Sequence, residues 1–169
     1  VVGEHESGAA DPHIWLSPRN AKIMVQKIYE GLVQVDPTSR VYYEQNRDNY
    51  LRELTKLDQD IRSSLSGETN RRFMVYHPAF RYFAREYDLT MLPVEEEGKE
   101  PTAADIARAI RQAKEYNIKV IFISPQFNPQ SAEVIAEAIG GRVAFIDSLA
   151  KDYIANMRMV LGELVKAIE

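Results

Sequence analysis

The sequence predicts an α/β fold: a four-stranded parallel sheet flanked by helices and preceded by one long helix. Three features point there. Short apolar runs recur at 73–76, 89–93, 119–123 and 142–146, each followed by a segment whose apolar residues fall at helical spacing. A three-and-four spacing of Tyr43, Tyr50, Leu54, Leu57, Ile61 and Leu65 continues for longer than an ordinary helix. Helix starts and stops, Asn128-Pro129 and Gly140-Gly141 among them, separate the runs.

Taken in order, the chain opens with loop-like Gly3, Glu4, His5, Glu6, Ser7 and Gly8, and residues 1–10 do not read as a signal peptide. Ser17 suits the N-cap of a first helix with Pro18 as its first residue, and Ala21, Met24, Val25, Ile28, Leu32 and Val35 mark one apolar stripe along it. Asp36-Pro37 ends that helix, and Thr38 or Ser39 is placed to cap the next, which runs to Ser66-Gly67. At 1.5 Å per residue this second helix reaches roughly 40 Å, a length that suits a spine between two lobes better than an element of one. One arm of a helical hairpin is the alternative. From Arg71 onward the strands alternate with helices beginning near Pro78, Thr102, Pro129 and Lys151, with Thr102 and Asp105 forming a capping-box pair. The expected division is therefore a loop at 1–12, two helices including the long one at 13–67, and an α/β lobe at 68–169.

Composition sets the bounds. With 169 residues, 45% of them apolar and 27% charged, the chain is long enough for one well-filled core. A net charge of -4 and the lack of any basic cluster interleaved with aromatics argue against nucleic acid as a partner. The absence of cysteine removes disulfides, thiolate chemistry and cysteine-ligated zinc. No apolar run approaches the roughly 20 residues needed to span a bilayer.

Parallel topology brings every strand's carboxyl end to one edge, where ligands bind in open α/β sheets. Four positions follow strand ends: His77, the 94–98 loop with Glu95, Glu96 and Glu97, Ser124-Pro125-Gln126, and Asp147-Ser148. Imidazole and carboxylate are suitable zinc ligands, and His13 is placed to supply another. A histidine at such an edge also has a plainer reading, a hydrogen bond that holds its own loop.

Four motifs in register carry a resemblance: Asp11-Pro12-His13-Ile14-Trp15, Tyr76-His77-Pro78-Ala79-Phe80, Ser124-Pro125-Gln126-Phe127 and Ile146-Asp147-Ser148-Leu149. Together with the long helix they resemble the zinc and manganese solute-binding proteins of metal-importing ABC transporters. The resemblance implies two α/β lobes joined by that helix, a metal ion bound between them, delivery of the ion to a membrane permease, a location outside the cytoplasm, and no catalysis. It makes His13 and His77 imidazole ligands and Asp147 a carboxylate ligand. Manganese-type relatives usually carry glutamate where His77 stands, so zinc is favoured, with manganese or iron as the alternative.

Departures from the family pattern follow. The chain reads as a carboxyl-terminal half, without the lobe that would carry a further histidine. Ser148 replaces a more usual proline, and Ser124 stands where some relatives have glutamate. His5 reads mainly as part of a flexible acidic tail. A surface shaped for a missing lobe favours a homodimer, and light scattering showing only monomer would count against it.

Other features read as structural. Glu95-Glu96-Glu97 with Glu100 resembles a solvated charge run more than a calcium or magnesium site. Arg108, Arg111 and Lys114 read as a solvated face, Tyr42, Tyr43 and Tyr50 as packing groups, and Trp15 as core rather than a shield over the cleft. Neither a phosphate-binding glycine loop nor a nucleophile elbow is present. Two rival functions remain: a zinc hydrolase or metal chelatase, for which no second carboxylate is evident as base, and a pure interaction module built on the long helix.

Overall fold

The computed structural model describes residues 10–95 and 98–168. After a 3-10 turn at Ile14–Leu16 come α1 (Pro18–Val35) and α2 (Arg40–Leu65). The α/β part follows as β1 (Arg72–Val75), α3 (Arg81–Glu86), β2 (Thr90–Pro93), α4 (Ala103–Glu115), β3 (Val120–Ile123), α5 (Gln130–Ile139), β4 (Arg142–Phe145) and α6 (Tyr153–Ile168). All four strands are parallel, in the order β2-β1-β3-β4. Each expected strand is present to within one residue.

Alternation along the strands sorts the core into two layers. Phe73, Val75 and Phe122 face a cluster containing Leu54, Leu57 and Ile61 of α2 and Met157, Val160 and Leu164 of α6. Met74, Tyr76, Ile121 and Ile123 face the opposite cluster, filled by Ala109 and Ala113 of α4 and Ile135 and Ile139 of α5. Helices therefore cover both faces, as a parallel sheet requires. The long helix uses its carboxyl-terminal half for this purpose: Leu54, Leu57, Ile61 and Leu65 are buried, each worth about 1.5–3 kcal/mol of transfer free energy. Arg71 closes its end, its guanidinium donating to the carbonyl oxygens of Leu65 (2.6 Å), Tyr87 (2.6 Å) and Asp88 (3.1 Å).

The helix-to-strand turns share one device. Asp88, Asn117 and Gly140 adopt φ of 55°, 53° and 61°, and the residue after each donates its N–H back to the last turn of the helix at 2.8 Å. Asp and Asn tolerate the left-handed region better than other residues with side chains, and Gly has no Cβ to clash.

Several local expectations are corrected. The helix expected from Pro78 begins only at Arg81, because the chain first makes a tight turn in which Ala79 N–H bonds to His77 O at 2.8 Å. Ser39 stands at the N-cap of α2 as expected but makes no side-chain capping bond; Asp36 instead heads a 3-10 turn at Pro37–Ser39 that leads into α2 and accepts from Thr38 Oγ1 (2.6 Å), Ser39 N–H (3.4 Å) and Tyr43 Oη (3.1 Å). Those bonds, Thr38 first, hold its pKa down to about 2. The apolar stripe of α1 is only partly a core face, since Ile28, Leu32 and Val35 are exposed, as is Tyr42 on α2. Arg108 is half-buried, donating to Val94 O at 3.2 Å and pairing with Asp105. Glu95 belongs to the interior: it is 2% exposed. Glu96, Glu97 and His5 lie outside the described residues.

Candidate metal centre

Strand order reverses direction between β1 and β3, so a crevice opens beyond their carboxyl ends. His77 lies two residues past β1, and the 124–127 turn follows β3. The strand-to-helix turn after β1 points the His77 ring out of the sheet edge, and Phe127 stacks on it with centroids 5.1 Å apart and planes at 29°. His13 comes from the other side, on the segment that leads into the 3-10 turn before α1. Its partner loop is fixed from within, since Tyr82 Oη donates to Asp11 O at 3.1 Å.

The two histidines meet directly. Their Nε2 atoms lie 3.3 Å apart, with ring centroids 5.1 Å apart and an interplanar angle of 72°. Each far nitrogen is bound to a buried carboxylate: His13 Nδ1 to Asp11 Oδ1 at 2.8 Å, and His77 Nδ1 to Glu95 Oε1. Asp11 also accepts from the His13 backbone N–H at 2.9 Å, and Glu95 Oε2 from Gly98 N–H at 2.8 Å. With the ring proton on Nδ1, where each carboxylate can accept it, the Nε2 lone pairs would face one another. This is the arrangement of metal-ligating histidines, whose outer nitrogen donates to a carboxylate. The spacing fits as well: two nitrogens 2.0–2.1 Å from a tetrahedral zinc ion stand about 3.3 Å apart.

Asp147 is on the same edge, two residues past β4, but is not joined to the histidines. Its Oδ1 accepts from Gln126 Nε2 and from Leu149 N–H, both at 2.9 Å, and Asn156 Nδ2 donates to its backbone oxygen at 2.6 Å. Among the described residues no group of three His, Asp or Glu side chains is disposed to hold an ion. The structure thus pairs His13 with His77 and holds Asp147 apart from them. Trp15 links the two regions: its Nε1–H donates to Ser148 O at 2.9 Å, and its ring centroid lies 5.6 Å from that of His13. It therefore packs on the core beside His13. Ser124 and Ser148 are buried and pair through their hydroxyls at 3.4 Å.

Tyr76, beneath His77, donates from Oη to Glu100 at 3.1 Å, and burial together with that bond pushes its pKa up to about 12. Sequence reasoning missed the roles of Asp11 and Glu95. Strand register carried a signal for Glu95: Val75 pairs with Pro93, so His77 and Glu95, two residues beyond each, emerge side by side.

Comparison with known proteins agrees with this architecture. Residues 2–167 match the family described as zinc-uptake complex component A, periplasmic. The high-affinity zinc uptake system protein ZnuA of Bacillus subtilis is 37% identical over 145 residues, covering 85% of this chain and 46% of that protein. A putative metal-binding protein of Treponema pallidum is 30% identical over 166 residues, covering 94% and 52%. The chain thus spans about half the length of these curated relatives. A crystal structure of ZnuA superposes with a TM-score of 0.96 at 39% identity, covering all of this chain and 66% of that one. A zinc-bound ZnuA deletion mutant gives 0.94 at 38%, again covering all and 66%. The chain belongs to the zinc-uptake component A family, the zinc and manganese solute-binding proteins of metal-importing ABC transporters.

Proposed function

We propose that the chain is the zinc-binding part of a solute-binding protein that acts outside the cytoplasm and hands the ion to an ABC permease. His13 and His77 are its imidazole ligands, and Asp147 completes the set once its bonds to Gln126 and Leu149 are exchanged for the ion. One observation carries the reading: the Nε2 atoms face each other at 3.3 Å, the separation a tetrahedral zinc ion would impose. The zinc named in the relatives supports it, and manganese or iron is the alternative cargo.

A hydrolase would need a carboxylate free to act as base. Glu95 and Asp11 lie beside the histidines, but both are buried and bonded to them, and Gly98 takes the second oxygen of Glu95, which favours binding without turnover. Homodimerisation belongs to the same proposal, and the exposed Ile28, Val35, Val41 and Tyr42 supply apolar surface for it.

The test is titration of the metal-stripped protein with zinc against a competing chelator, with manganese in parallel and His77→Ala as control. Binding near one ion per chain that collapses in the variant is the expected result. One ion per two chains would mean ligands shared across a dimer. Zinc binding that is unchanged in the variant, or no binding at all, would overturn the assignment.

A further inference from the structure

We propose that Glu95 and Asp11 are the positioning residues of this site, and that Glu95 in particular sets the tautomer that lets His77 accept a metal ion. This rests on the zinc reading above. Glu95 is 2% and Asp11 1% exposed, so neither is a solvated surface charge. Neither touches the point between the two Nε2 atoms. Each acts through the far nitrogen of one histidine.

The two carboxylates differ in a way that makes the inference sharp. Glu95 uses two separate acceptor oxygens: Oε1 takes the His77 Nδ1–H, and Oε2 takes the Gly98 N–H at 2.8 Å. Glu95 is held in turn through its own backbone N–H, which bonds to Tyr76 O at 3.0 Å. A glutamine of the same shape has one acceptor and one donor. If its oxygen stays on Gly98, its NH2 faces His77 Nδ1, which must then accept, and the ring proton moves to Nε2, where it blocks the metal. If its oxygen stays on His77, the NH2 meets the Gly98 N–H donor to donor. Asp11 bonds its histidine through Oδ1 alone, at 2.9 Å to the backbone N–H and 2.8 Å to Nδ1. An asparagine there can leave its oxygen in place and keep the His13 tautomer.

The experiment records two-bond proton–nitrogen spectra of 15N-labelled, metal-free protein at pH 8 to read each ring's tautomer, and then measures zinc affinity by chelator competition. In the parent, His77 and His13 both carry the proton on Nδ1. Glu95→Gln moves the His77 proton to Nε2 and weakens zinc roughly 10–100-fold, the range for lost outer partners of a ligand histidine. Asp11→Asn keeps the His13 tautomer and weakens zinc less. Glu100→Gln, in the same loop but bonded to Tyr76, changes neither reading. Parent His77 protonated on Nε2 would overturn the proposal without any variant, which also decides the matter if Glu95→Gln does not fold. A Glu95→Gln protein with the parent tautomer and affinity within about twofold would overturn it too. A parent that binds no zinc refutes the zinc reading separately, because the tautomer spectra need no metal.

Discussion

Gly141 is the position where one added carbon should cost the most. It sits between the left-handed Gly140 and the first residue of β4. A Cβ there would lie 2.2 Å from Lys119 O, 2.9 Å from Lys119 C and 3.2 Å from Ile139 Cγ1. The nearest two atoms are backbone and cannot rotate away. Relaxed carbon–oxygen contacts start at roughly 3.3 Å, so Gly141→Ala must part the β3 and β4 backbones by about 1 Å. That opens the 2.8 Å bond from Arg142 N–H to Lys119 O. Losing it costs about 0.5–1.5 kcal/mol, and the overpacking about 1–3 more. A total of about 1.5–4.5 kcal/mol corresponds to a fall of about 3–18 °C in Tm for a chain of this size. Thermal unfolding followed by circular dichroism measures it, with Gly31→Ala as reference. Gly31 lies within α1 with nothing within 4 Å of a Cβ, so alanine there should raise Tm by about 1–4 °C. A Gly141→Ala protein melting within 2 °C of the parent would refute the close approach of the two strands.

Two further outcomes follow from other parts of the molecule. Asp36 has a folded pKa depressed to about 2, so its contribution is present above the unfolded value of 3.8 and lost as pH falls through 2. The stability difference between parent and Asp36→Asn, read from urea midpoints, should therefore shrink steadily from pH 4 to pH 2. Trp15 is the single tryptophan, and its ring centroid is 5.6 Å from that of His13. Zinc should change its emission with the same midpoint as the chelator titration, and emission that does not respond at saturating zinc would place the ion elsewhere.

Much of the fold was legible because local and global preferences agree. Runs such as Val120 to Ile123 are buried on both faces, and such strands read as unbroken apolar stretches. The carboxyl-terminal half of α2 kept its period because one stripe of it meets the sheet. The stripe of α1 misled for the opposite reason: periodicity shows that a face is apolar, not that anything covers it, and Ile28 and Val35 remain exposed. Gly140 announced its turn, while Asp88 and Asn117, which do the same job, looked like ordinary polar residues. Position at a strand end singled out His77, the family resemblance supplied the ligand roles of His13 and His77, and the structure brings the two together. Glu95 was hidden inside a charge run, because composition does not say which member of such a run is buried, and Glu95 is. Asp147 was expected beside the histidines and is instead held by Gln126 and Leu149. A side chain's choice among nearby partners is set by loop conformation, which apolar patterning does not encode.

The repeated helix-to-strand turn has a consequence for how this molecule can vary. Three closures of the same kind fix where β2, β3 and β4 begin, so one rim of the sheet works as a datum against which strand heights are set. The opposite rim carries His77, Glu95, Gln126 and Asp147 on loops that share no common form. On the zinc reading proposed above, substitutions there would retune which ion is held, and how firmly, without moving a strand. A change at the datum rim shifts every residue downstream on its strand, and would reach the ion only by way of the whole sheet.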